Sequence, residues 1–595
     1  MNDPRRYDVV IVGGGLAGSL LAKEFVSDGR SVLMLESGRD TGFTFEGYRS
    51  FVESYLRDLN KGPNSPYPSP PDAGDTDTPG YVGQLGPVPF STDYVRGLGG
   101  TTLHWLGTCL RMLPADFRTQ TLYGRGEDWP LAYEDLEPFY QRAEGEFGVS
   151  ANVEDQKYLG VWFADGYEFP MYRIPPSYID QRFSEGLRGF GVEMAGRTYP
   201  VQVSNTPQAR NSIPNPRYDG GRGYEPVGAV GAPDVGLRCE GHSSCIPICP
   251  VQAKYNALKT LAGVFNLLDA RGLPKDRFRL VTQAVASRLD VDPDSGRVRG
   301  VEYKVYRDDA SGAEETGMAY GRVYVVAAHA IETAKLMLIS EAERASPHLG
   351  HYLMDHPYML VLGSARGPMG TGRGPSSTSG IESLRDGPFR REHAAFRIEV
   401  GNWGWRFATD SPYGEVAELV DGKHLFGATL RSRLHRDLTR QVHLGPLVEQ
   451  LPEYDNRVTV EPGQRDPLGI PRPRIWYDVS DYTRAGMAAA QRVCQDVYRH
   501  LDVQYVEKPP PAFAVRVGFG TQTLAFYGAG HIVGTHRMGA RRETSVVNTW
   551  QRSWDHDNLY LVGCGSMPTI GTSNPTLTMA ALAYRSAQQI LKNLR

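Results

Sequence analysis

The stretch YDVVIVGGGLAGSLLAKEFVSDGRSVLMLESG at residues 7–38 decides the fold of the first part of the chain. Its apolar, β-branched run VVIV is typical of a strand that is buried on both faces. Gly13, Gly15 and Gly18 follow as G-x-G-x-x-G, which allows a tight turn, close approach of a pyrophosphate and close packing of the next helix. Glu36 ends the second predicted strand, where a carboxylate can accept hydrogen bonds from ribose hydroxyls. This order predicts a dinucleotide-binding domain for NAD or FAD, because a glycine-rich turn without a ligand would leave Glu36 unexplained.

Composition restricts the class of protein. The chain has 595 residues, of which 40% are hydrophobic and 22% charged, so it should fold into at least two globular domains. A net charge of −4 gives no reason to expect nucleic acid or an anionic membrane as a partner. The most apolar segment, residues 323–340, is interrupted by His329, Glu332 and Lys335, so no membrane span is predicted. Six cysteines do not make a disulfide framework and no secretory signal is present, so the sequence by itself predicts a cytoplasmic protein.

A second glycine-rich segment, RGLGGTTLHW, begins at Arg96. Gly99 and Gly100 permit very close backbone approach, and they are followed by His104 and Trp105. We expect this loop to press against a flat group, with one imidazole directed at it. Taken alone, His104 is better explained as a buried structural histidine.

The C-terminal tail combines HIVGTHRMG from His531 with LYLVGCGSMPTIGTSNPTLTMAALAYRSAQQIL from Leu559. An apolar strand leads into a glycine-rich turn, and Asn574 and Pro575 then open a strongly helical stretch that continues from Thr576. The N-terminus of such a helix has free backbone N–H groups and a partial positive charge. It would stabilise an anion lying against it, such as a reduced flavin.

Together these segments resemble the glucose–methanol–choline (GMC) flavoprotein oxidoreductase family. The resemblance follows the family order from end to end and covers the nucleotide motif, GLGGTTLHW, residues 323–340, HYLMDHP at 351–357, RVTVEPGQRDPLGIP at 457–471 and the tail. Within the family, GGTTLHW and the tail are most similar to pyranose 2-oxidase and to bacterial FAD-dependent sugar and glucoside dehydrogenases. One departure is AAHA at 327–330, where many relatives have AAGA, so His329 adds bulk near the expected adenosine.

The resemblance implies FAD as the cofactor and roles for several polar residues. His531 would be the base that takes the proton of the substrate hydroxyl as hydride leaves carbon for flavin N5, since the pKa of an imidazole lies near the working pH. Asn574 matches the second catalytic position and would hold the substrate oxygen. His104 matches the histidine through which some relatives attach FAD covalently. His536 and Arg537 are expected to line the same pocket, unless His536 lies behind it as a partner of another side chain.

A cluster of cysteines stands apart from these motifs. Cys239, Cys245 and Cys249 form C-x5-C-x3-C within CEGHSSCIPICP, directly before Pro250. A cysteine followed by proline is typical of iron–sulfur loops, whereas zinc would need His242 as a fourth ligand and a disulfide would leave one thiol over. Unliganded thiols are the remaining alternative. The resemblance to sugar dehydrogenases implies a [3Fe-4S] cluster on the three cysteines, while the other three, Cys109, Cys494 and Cys564, are expected to be buried core thiols.

The resemblance implies an α/β (α+β overall) GMC fold, with a Rossmann-like FAD-binding domain and a discontinuous, antiparallel-sheet substrate-binding domain. The FAD-binding domain is predicted over 1–150, 236–345 and 520–595, including the cysteine loop 239–250. The substrate-binding domain is predicted over 151–235 and 346–519. Its clearest predicted elements are strands at 457–462 and 473–479 and a helix at 482–501. Proline- and glycine-rich composition predicts an exposed loop at 61–80 and a lid over the substrate at 367–380.

The leading hypothesis is an FAD-dependent dehydrogenase that oxidises a secondary alcohol of a sugar or glycoside. Electrons would leave through the [3Fe-4S] cluster to a protein acceptor, since the chain has no C-x-x-C-H haem site. Relatives of this kind often act with a small subunit and a cytochrome, and a signal-bearing small subunit would give a periplasmic location. The alternative enzyme is an oxidase that produces H2O2 with the cysteines vestigial. A flavin-binding scaffold without turnover is disfavoured, because His531 and Asn574 are both present.

Overall fold

The computed structural model describes most of the chain. The described residues are 5–40, 81–91, 94–103, 105–230, 236, 238–239, 241, 249, 251–272, 274–307, 313, 315–341, 346–372, 374–405, 416–508 and 514–595. The positions His104 and Cys245 and the predicted loop at 61–80 lie outside these residues.

The nucleotide motif opens the first sheet, as the sequence predicts. Strand Arg6–Val12 pairs in parallel with Val32–Leu35 on one side and with the end of Glu315–Val326 on the other. Among the described residues this sheet has seven strands. Five of them pair in parallel, and the other two extend Glu315–Val326 as an antiparallel part of the sheet. Its strands are Arg6–Val12, Val32–Leu35, Phe278–Val281, Ala284–Val291, Val298–Val305, Glu315–Val326 and Leu559–Leu561.

A second, largely antiparallel sheet is built from strands between residues 357 and 528, with one more strand at Val203–Asn205. It has nine strands within the described ranges, and its central strand Gln441–Val448 pairs with three neighbours. Its strands are Val203–Asn205, Pro357–Tyr358, Val361–Ser364, Ser379–Ile381, Phe396–Gly401, Gln441–Val448, Gln504–Val506, Val515–Phe519 and Gln522–Gly528. Two small sheets are formed by Gly83–Gln84, Arg457–Arg465 and Pro471–Trp476 and by Gly191–Met194 and Arg197–Pro200.

Helices cover both sheets. The longer α-helices are Leu16–Ser27, Tyr133–Phe147, Tyr178–Gly186, Ala257–Ala270, Ala330–Glu341, Gly427–Leu438, Asp481–His500 and Thr576–Leu594. Short helical turns are Gly100–Leu103, Pro114–Phe117, Thr119–Tyr123, Val153–Gln156, Tyr218–Gly221, Lys275–Arg277, Pro388–Arg391, Glu418–Gly422, Arg542–Thr544 and Cys564–Ser566. None of the helices in the described part of the chain is both long and apolar enough to cross a membrane.

The buried apolar side chains form two main cores. One surrounds the nucleotide sheet, where helix Thr576–Leu594 packs against Leu16–Ser27 and Tyr133–Phe147. The other lies between the nine-stranded sheet and helix Asp481–His500, whose residues 488–490, Val493 and Val497 are buried. The cores therefore follow the two sheets, one of which begins at the nucleotide motif.

Several predicted elements are present with small changes at their ends. The predicted strands at 457–462 and 473–479 are Arg457–Arg465 and Pro471–Trp476, but they form a small sheet with Gly83–Gln84. The predicted domain boundary at 520 separates Val515–Phe519 from Gln522–Gly528, although these strands are a hairpin of the nine-stranded sheet. In the predicted lid, residues 376–379 are buried and enter strand Ser379–Ile381, so this end of the segment is part of the sheet.

Candidate active site

A cavity lies at the carboxyl ends of the parallel strands that carry the nucleotide motif, which is where open α/β sheets bind ligands. Gly13, Gly15 and Glu36 line one part of it. Trp105 and residues 575–576 line another part, together with Gly530 and Ile532 on either side of His531. Segments from both ends of the sequence therefore meet at one cavity.

The motif glycines have different surroundings. A Cβ atom at Gly18 would lie 2.0 Å from the Gly13 carbonyl oxygen, so this glycine allows the helix to pack on the turn. A Cβ atom at Gly15 would have no heavy atom within 4 Å, because Gly15 faces open space. Gly99 donates its N–H to the Gly14 carbonyl at 3.1 Å and shapes the turn without lining the cavity. Gly100, by contrast, does line the cavity.

Glu36 is buried at the end of its strand. Its carboxylate accepts the backbone N–H groups of Gly14 at 2.6 Å and Gly38 at 2.7 Å. Burial raises the pKa of Glu36 above its ordinary value, although both N–H donors favour the charged form. The side chain therefore ties the two turns together and also borders the cavity, at the place expected for a ribose.

The opposite wall of the cavity carries an aromatic pair and a buried ion cluster. His329 stacks on Tyr94 with ring centroids 4.2 Å apart and an interplanar angle of 12°. Glu332 accepts hydrogen bonds from Tyr94 at 2.7 Å and Arg96 at 2.8 Å, and it pairs with Lys335 at 2.6 Å. Burial opposes ionisation, but Arg96 and Lys335 outweigh it and hold the pKa of Glu332 at about 2. The departure at His329 thus gives the cavity an aromatic wall.

His531 and Asn574 lie next to each other, and their chain neighbours Gly530, Ile532 and Pro575 line the cavity although they themselves do not. The Nδ2 of Asn574 is 3.0 Å from Nε2 of His531. The Oδ1 of Asn574 is buried and has no hydrogen-bond partner among the described residues. Burial, together with the nearby His356 and Arg397, holds the pKa of His531 well below its ordinary value. The imidazole is therefore neutral near pH 7 and is able to accept a proton.

His531 has a second side-chain neighbour, which the sequence analysis does not assign. Nδ1 of His356 lies 2.9 Å from Nδ1 of His531, and Nε2 of His356 lies 2.9 Å from the Gly571 carbonyl oxygen. Oδ1 of Asp355 accepts the backbone N–H groups of His356 at 2.7 Å and His531 at 2.8 Å. These residues belong to HYLMDHP, which the sequence resemblance contains, but no local pattern marks a contact across 175 residues.

The cysteine loop is described in part. Cys239 donates its backbone N–H to the Asn211 carbonyl at 2.9 Å, and the Cys249 carbonyl accepts the N–H of Gln252 at 3.1 Å. Within the described residues, no group of three or more His, Cys, Asp or Glu side chains is arranged to hold a metal ion. Since Cys245 lies outside these residues, the cluster stays a prediction.

One short segment connects the cysteine loop to the loop that contains Trp105. Ala209 donates its N–H to the Gly107 carbonyl at 2.7 Å, and the Arg210 guanidinium donates to the Leu106 carbonyl at 3.1 Å. The adjoining Asn211 accepts the N–H of Cys239. Residues 209–211 therefore touch both loops, although the loops are far apart in sequence.

Other predicted residues have different surroundings from those expected. Arg537 pairs with Glu127 and lies over the Tyr352 ring at 3.6 Å, so it does not line the cavity. His536 is buried behind the cavity, with Nδ1 3.2 Å from the Thr535 hydroxyl. Cys109 and Cys494 are buried as expected. Cys564 is only partly buried and lines the cavity, which corrects its interpretation as a core thiol.

Comparison with known proteins identifies the family. Residues 452–583 match the family model described as GMC oxidoreductase, and residues 11–65 match an NAD(P)-binding Rossmann-like domain. The fructose dehydrogenase large subunit of Gluconobacter japonicus is 32% identical over 611 residues, which span 100% of this chain and 99% of that protein. The chain belongs to the GMC oxidoreductase family.

Other relatives of this GMC oxidoreductase agree with the assignment. Paromamine 6'-oxidase of Streptomyces fradiae is 26% identical over 100% of this chain and 93% of that protein. Among solved structures, pyridoxine 4-oxidase from Mesorbium loti covers 98% of both chains with a TM-score of 0.59 and 17% identity, which is a likeness of fold. The resemblance stated from the sequence is thereby confirmed, and the chain is an FAD-dependent oxidoreductase.

The residues of the cavity fit FAD. Gly15 leaves open space at the start of helix Leu16–Ser27, whose N-terminus has no side-chain cap and can therefore accept a pyrophosphate. Helix Thr576–Leu594 also begins at the cavity without a side-chain cap. Glu36 at one end would hold the ribose, and the uncapped helix at the other would lie against the flavin. His104, the predicted attachment point, lies outside the described residues, next to the cavity residue Trp105.

Proposed function

We propose that this GMC oxidoreductase oxidises a secondary alcohol of a sugar or glycoside, with His531 as the base. The observation that carries the proposal is the 3.0 Å contact between Nε2 of His531 and Nδ2 of Asn574, whose chain neighbours line the cavity. A neutral imidazole beside a donor amide is what abstraction of a hydroxyl proton requires.

The two side chains have complementary tasks. A substrate hydroxyl that enters between them can accept a hydrogen bond from the Asn574 amide while it donates its own proton to Nε2 of His531. As that proton leaves, the C–H bond of the same carbon breaks and its hydrogen departs with both electrons. When bound, FAD supplies the hydride acceptor. The low pKa of His531 keeps the base free of protons before the reaction.

The relatives support a sugar-like substrate. Fructose dehydrogenase and paromamine 6'-oxidase are named for the oxidation of fructose and of paromamine, and both align over the whole of this chain. The name "large subunit" for the first of them supports a small partner subunit here. We propose that such a partner and a cytochrome or another protein take the electrons, and that the complex is periplasmic if the partner carries the export signal.

The proposed electron exit is a [3Fe-4S] cluster on Cys239, Cys245 and Cys249. It is supported by residues 209–211, which contact the 105–107 loop beside the flavin site and also hold Cys239. Thiolate ligands suit such a cluster, and the loop would lie within one short peptide segment of the flavin. Electrons would then leave one at a time towards the partner.

The test is an anaerobic screen of sugars, glycosides and polyols that follows bleaching of the flavin absorbance. We expect at least one sugar to reduce the flavin, and we expect His531→Ala to slow this step by about 10²–10⁴-fold because a positioned base contributes about that much. His435→Ala is the matched control, since His435 is exposed on helix Gly427–Leu438. A reduction rate that is unchanged in His531→Ala would overturn the assignment of the base.

An oxidase is the second candidate function. It is favoured by the alignment of paromamine 6'-oxidase with all of this chain. Peroxide formation under air at the rate of flavin reduction, in protein that contains no iron, would support the oxidase. Slow reoxidation by oxygen, together with fast reoxidation by a protein or dye acceptor, supports the dehydrogenase.

A further inference from the structure

A second histidine lies behind the proposed base and is fully buried. His356 is 0% exposed, and its ring is nearly perpendicular to that of His531, at an interplanar angle of 88°. It contacts His531 through Nδ1 and the Gly571 carbonyl through Nε2, each at 2.9 Å. The inference below rests on the proposed role of His531.

The backbone carbonyl of Gly571 decides where the proton of His356 lies. A carbonyl oxygen only accepts hydrogen bonds, so Nε2 of His356 must carry a hydrogen. Burial lowers the pKa of His356 to about 4, so the ring is neutral near pH 7 and its Nδ1 carries no hydrogen. The contact with His531 is then a hydrogen bond only if Nδ1 of His531 is the donor.

This direction leaves Nε2 of His531 free to accept a proton. A neutral imidazole has one N–H group, which His531 donates to His356. The contact on the other side is compatible with this tautomer, because Nδ2 of Asn574 can donate to Nε2 of His531. The contact with His356 therefore selects the tautomer of His531, and the contact with Asn574 agrees with it.

The backbone holds the two histidines in this arrangement. Oδ1 of Asp355 accepts the N–H groups of both His356 and His531, and its Oδ2 accepts that of Gly530 at 3.2 Å. The N–H of Asp355 in turn donates to Oε1 of Gln450 at 2.9 Å. The segments that carry the two rings are thereby fixed to each other.

We infer that His356 is a positioning residue, which holds His531 in the tautomer that has a bare Nε2 facing the substrate. Without an acceptor at Nδ1, His531 is free to turn over or to place its hydrogen on Nε2. In that tautomer it cannot take the hydroxyl proton. His356 would thus act on the rate of the chemical step and leave substrate binding largely unchanged.

The experiment compares His356→Asn with His356→Leu in the complete enzyme. The Oδ1 of asparagine can occupy the position of imidazole Nδ1 and accept the His531 hydrogen, whereas leucine offers no acceptor. We expect the limiting rate of anaerobic flavin reduction to fall about 10²–10⁴-fold in His356→Leu, the range that a positioned base contributes, because His531 then no longer acts as one. We expect His356→Asn to retain most of the parental rate. The substrate concentration for half-maximal rate should change little in either variant.

Flavin content and melting temperature establish that each variant is folded. If His356→Leu does not fold, His356→Gln replaces it, because the longer glutamine side chain carries its amide past the Nδ1 position. Equal rates in the acceptor and non-acceptor variants would overturn the inference, provided that His531→Ala is slow. If His531→Ala is as fast as the parent, the proposed function fails first, and the inference fails with it.

Discussion

The sharpest test of the cofactor site is Gly15→Ala. Gly15 precedes helix Leu16–Ser27 with φ −75° and ψ −164°, which is extended backbone that alanine adopts without strain. The added Cβ would meet no heavy atom within 4 Å. Alanine is a poorer N-cap than glycine, which destabilises the folded protein by about 0.5–1 kcal/mol. It also lowers the conformational entropy of the unfolded chain, which stabilises the folded protein by about 0.4–1 kcal/mol. These effects offset each other, so the unfolding free energy of the FAD-free protein should change by less than about 1 kcal/mol.

The affinity for FAD should change far more. If the pyrophosphate lies against the backbone at Gly15, the methyl group occupies that space and the phosphate has to withdraw. Each hydrogen bond between an N–H group and a charged oxygen that is then lost is worth about 1.5–3 kcal/mol. Since 1.4 kcal/mol corresponds to a tenfold change in Kd, loss of one such bond raises the Kd for FAD by roughly 10- to 150-fold.

Gly18→Ala is the matched control, because its Cβ would lie 2.0 Å from the Gly13 carbonyl oxygen. We expect this variant to lose about 1–3 kcal/mol of stability as well as FAD affinity, since the helix has to move away from the turn. Both variants are made with His104→Ala, so that FAD can be removed and titrated back while flavin fluorescence is followed. Retention of the parental Kd in Gly15→Ala would refute the position of the pyrophosphate.

Three further predictions concern attachment, metal and pH. Acid precipitation should leave the yellow flavin with the parent protein and release it from His104→Ala; flavin released from the parent would exclude the covalent bond. Metal analysis of anaerobically purified protein should give about three iron atoms per chain, as in a [3Fe-4S] cluster, and far fewer in Cys249→Ser, whereas an iron-free parent would contradict the cluster. Burial lowers the pKa of His443 to about 4, so the unfolded state binds its proton first as pH falls below about 6.5. The free energy of unfolding that this group contributes is complete above pH 6.5 and decreases by about 2 kcal/mol by pH 5. We therefore expect urea denaturation at pH 8 and pH 5 to show a loss of unfolding free energy that is about 2 kcal/mol smaller in His443→Gln than in the parent. An equal loss in the two proteins would contradict this assignment.

The parts predicted best from the sequence depend on neighbouring residues. The turn from strand Arg6–Val12 into helix Leu16–Ser27 needs small residues at fixed spacing, so Gly13 and Gly18 disclose it directly. Helix Asp481–His500 is disclosed by its one-sided apolar pattern, which faces the second core. In both cases the residues that determine the element lie within about twenty positions of one another in the sequence.

The nine-stranded sheet was harder to anticipate, because its strands are short. Pro357–Tyr358 has two residues and Val203–Asn205 has three, and neither length supports a periodic pattern. The hairpin of Val515–Phe519 and Gln522–Gly528 falls at a point where the family order suggested a return to the flavin domain. Long-range pairing assigns these strands to the sheet.

The same reason explains what was missed in the site. His356 stands in a segment that the resemblance contains, but its task depends on His531, 175 residues away. The aromatic pair of Tyr94 and His329 joins residues that are even farther apart in the chain. Arg537, which was expected in the pocket, is held away from it by Glu127. Whether such a residue reaches the site depends on the direction of its side chain, which residue type alone does not determine.

Because the cavity takes Gly15 from one end of the sequence and Pro575 from the other, its assembly follows the direction of translation. A ribosome makes the first half of the wall long before helix Thr576–Leu594 emerges and packs against Leu16–Ser27. A growing chain therefore has no complete site for the flavin until helix Thr576–Leu594 is made. Yellow colour in a preparation then reports that synthesis reached this helix and that the two distant halves found each other.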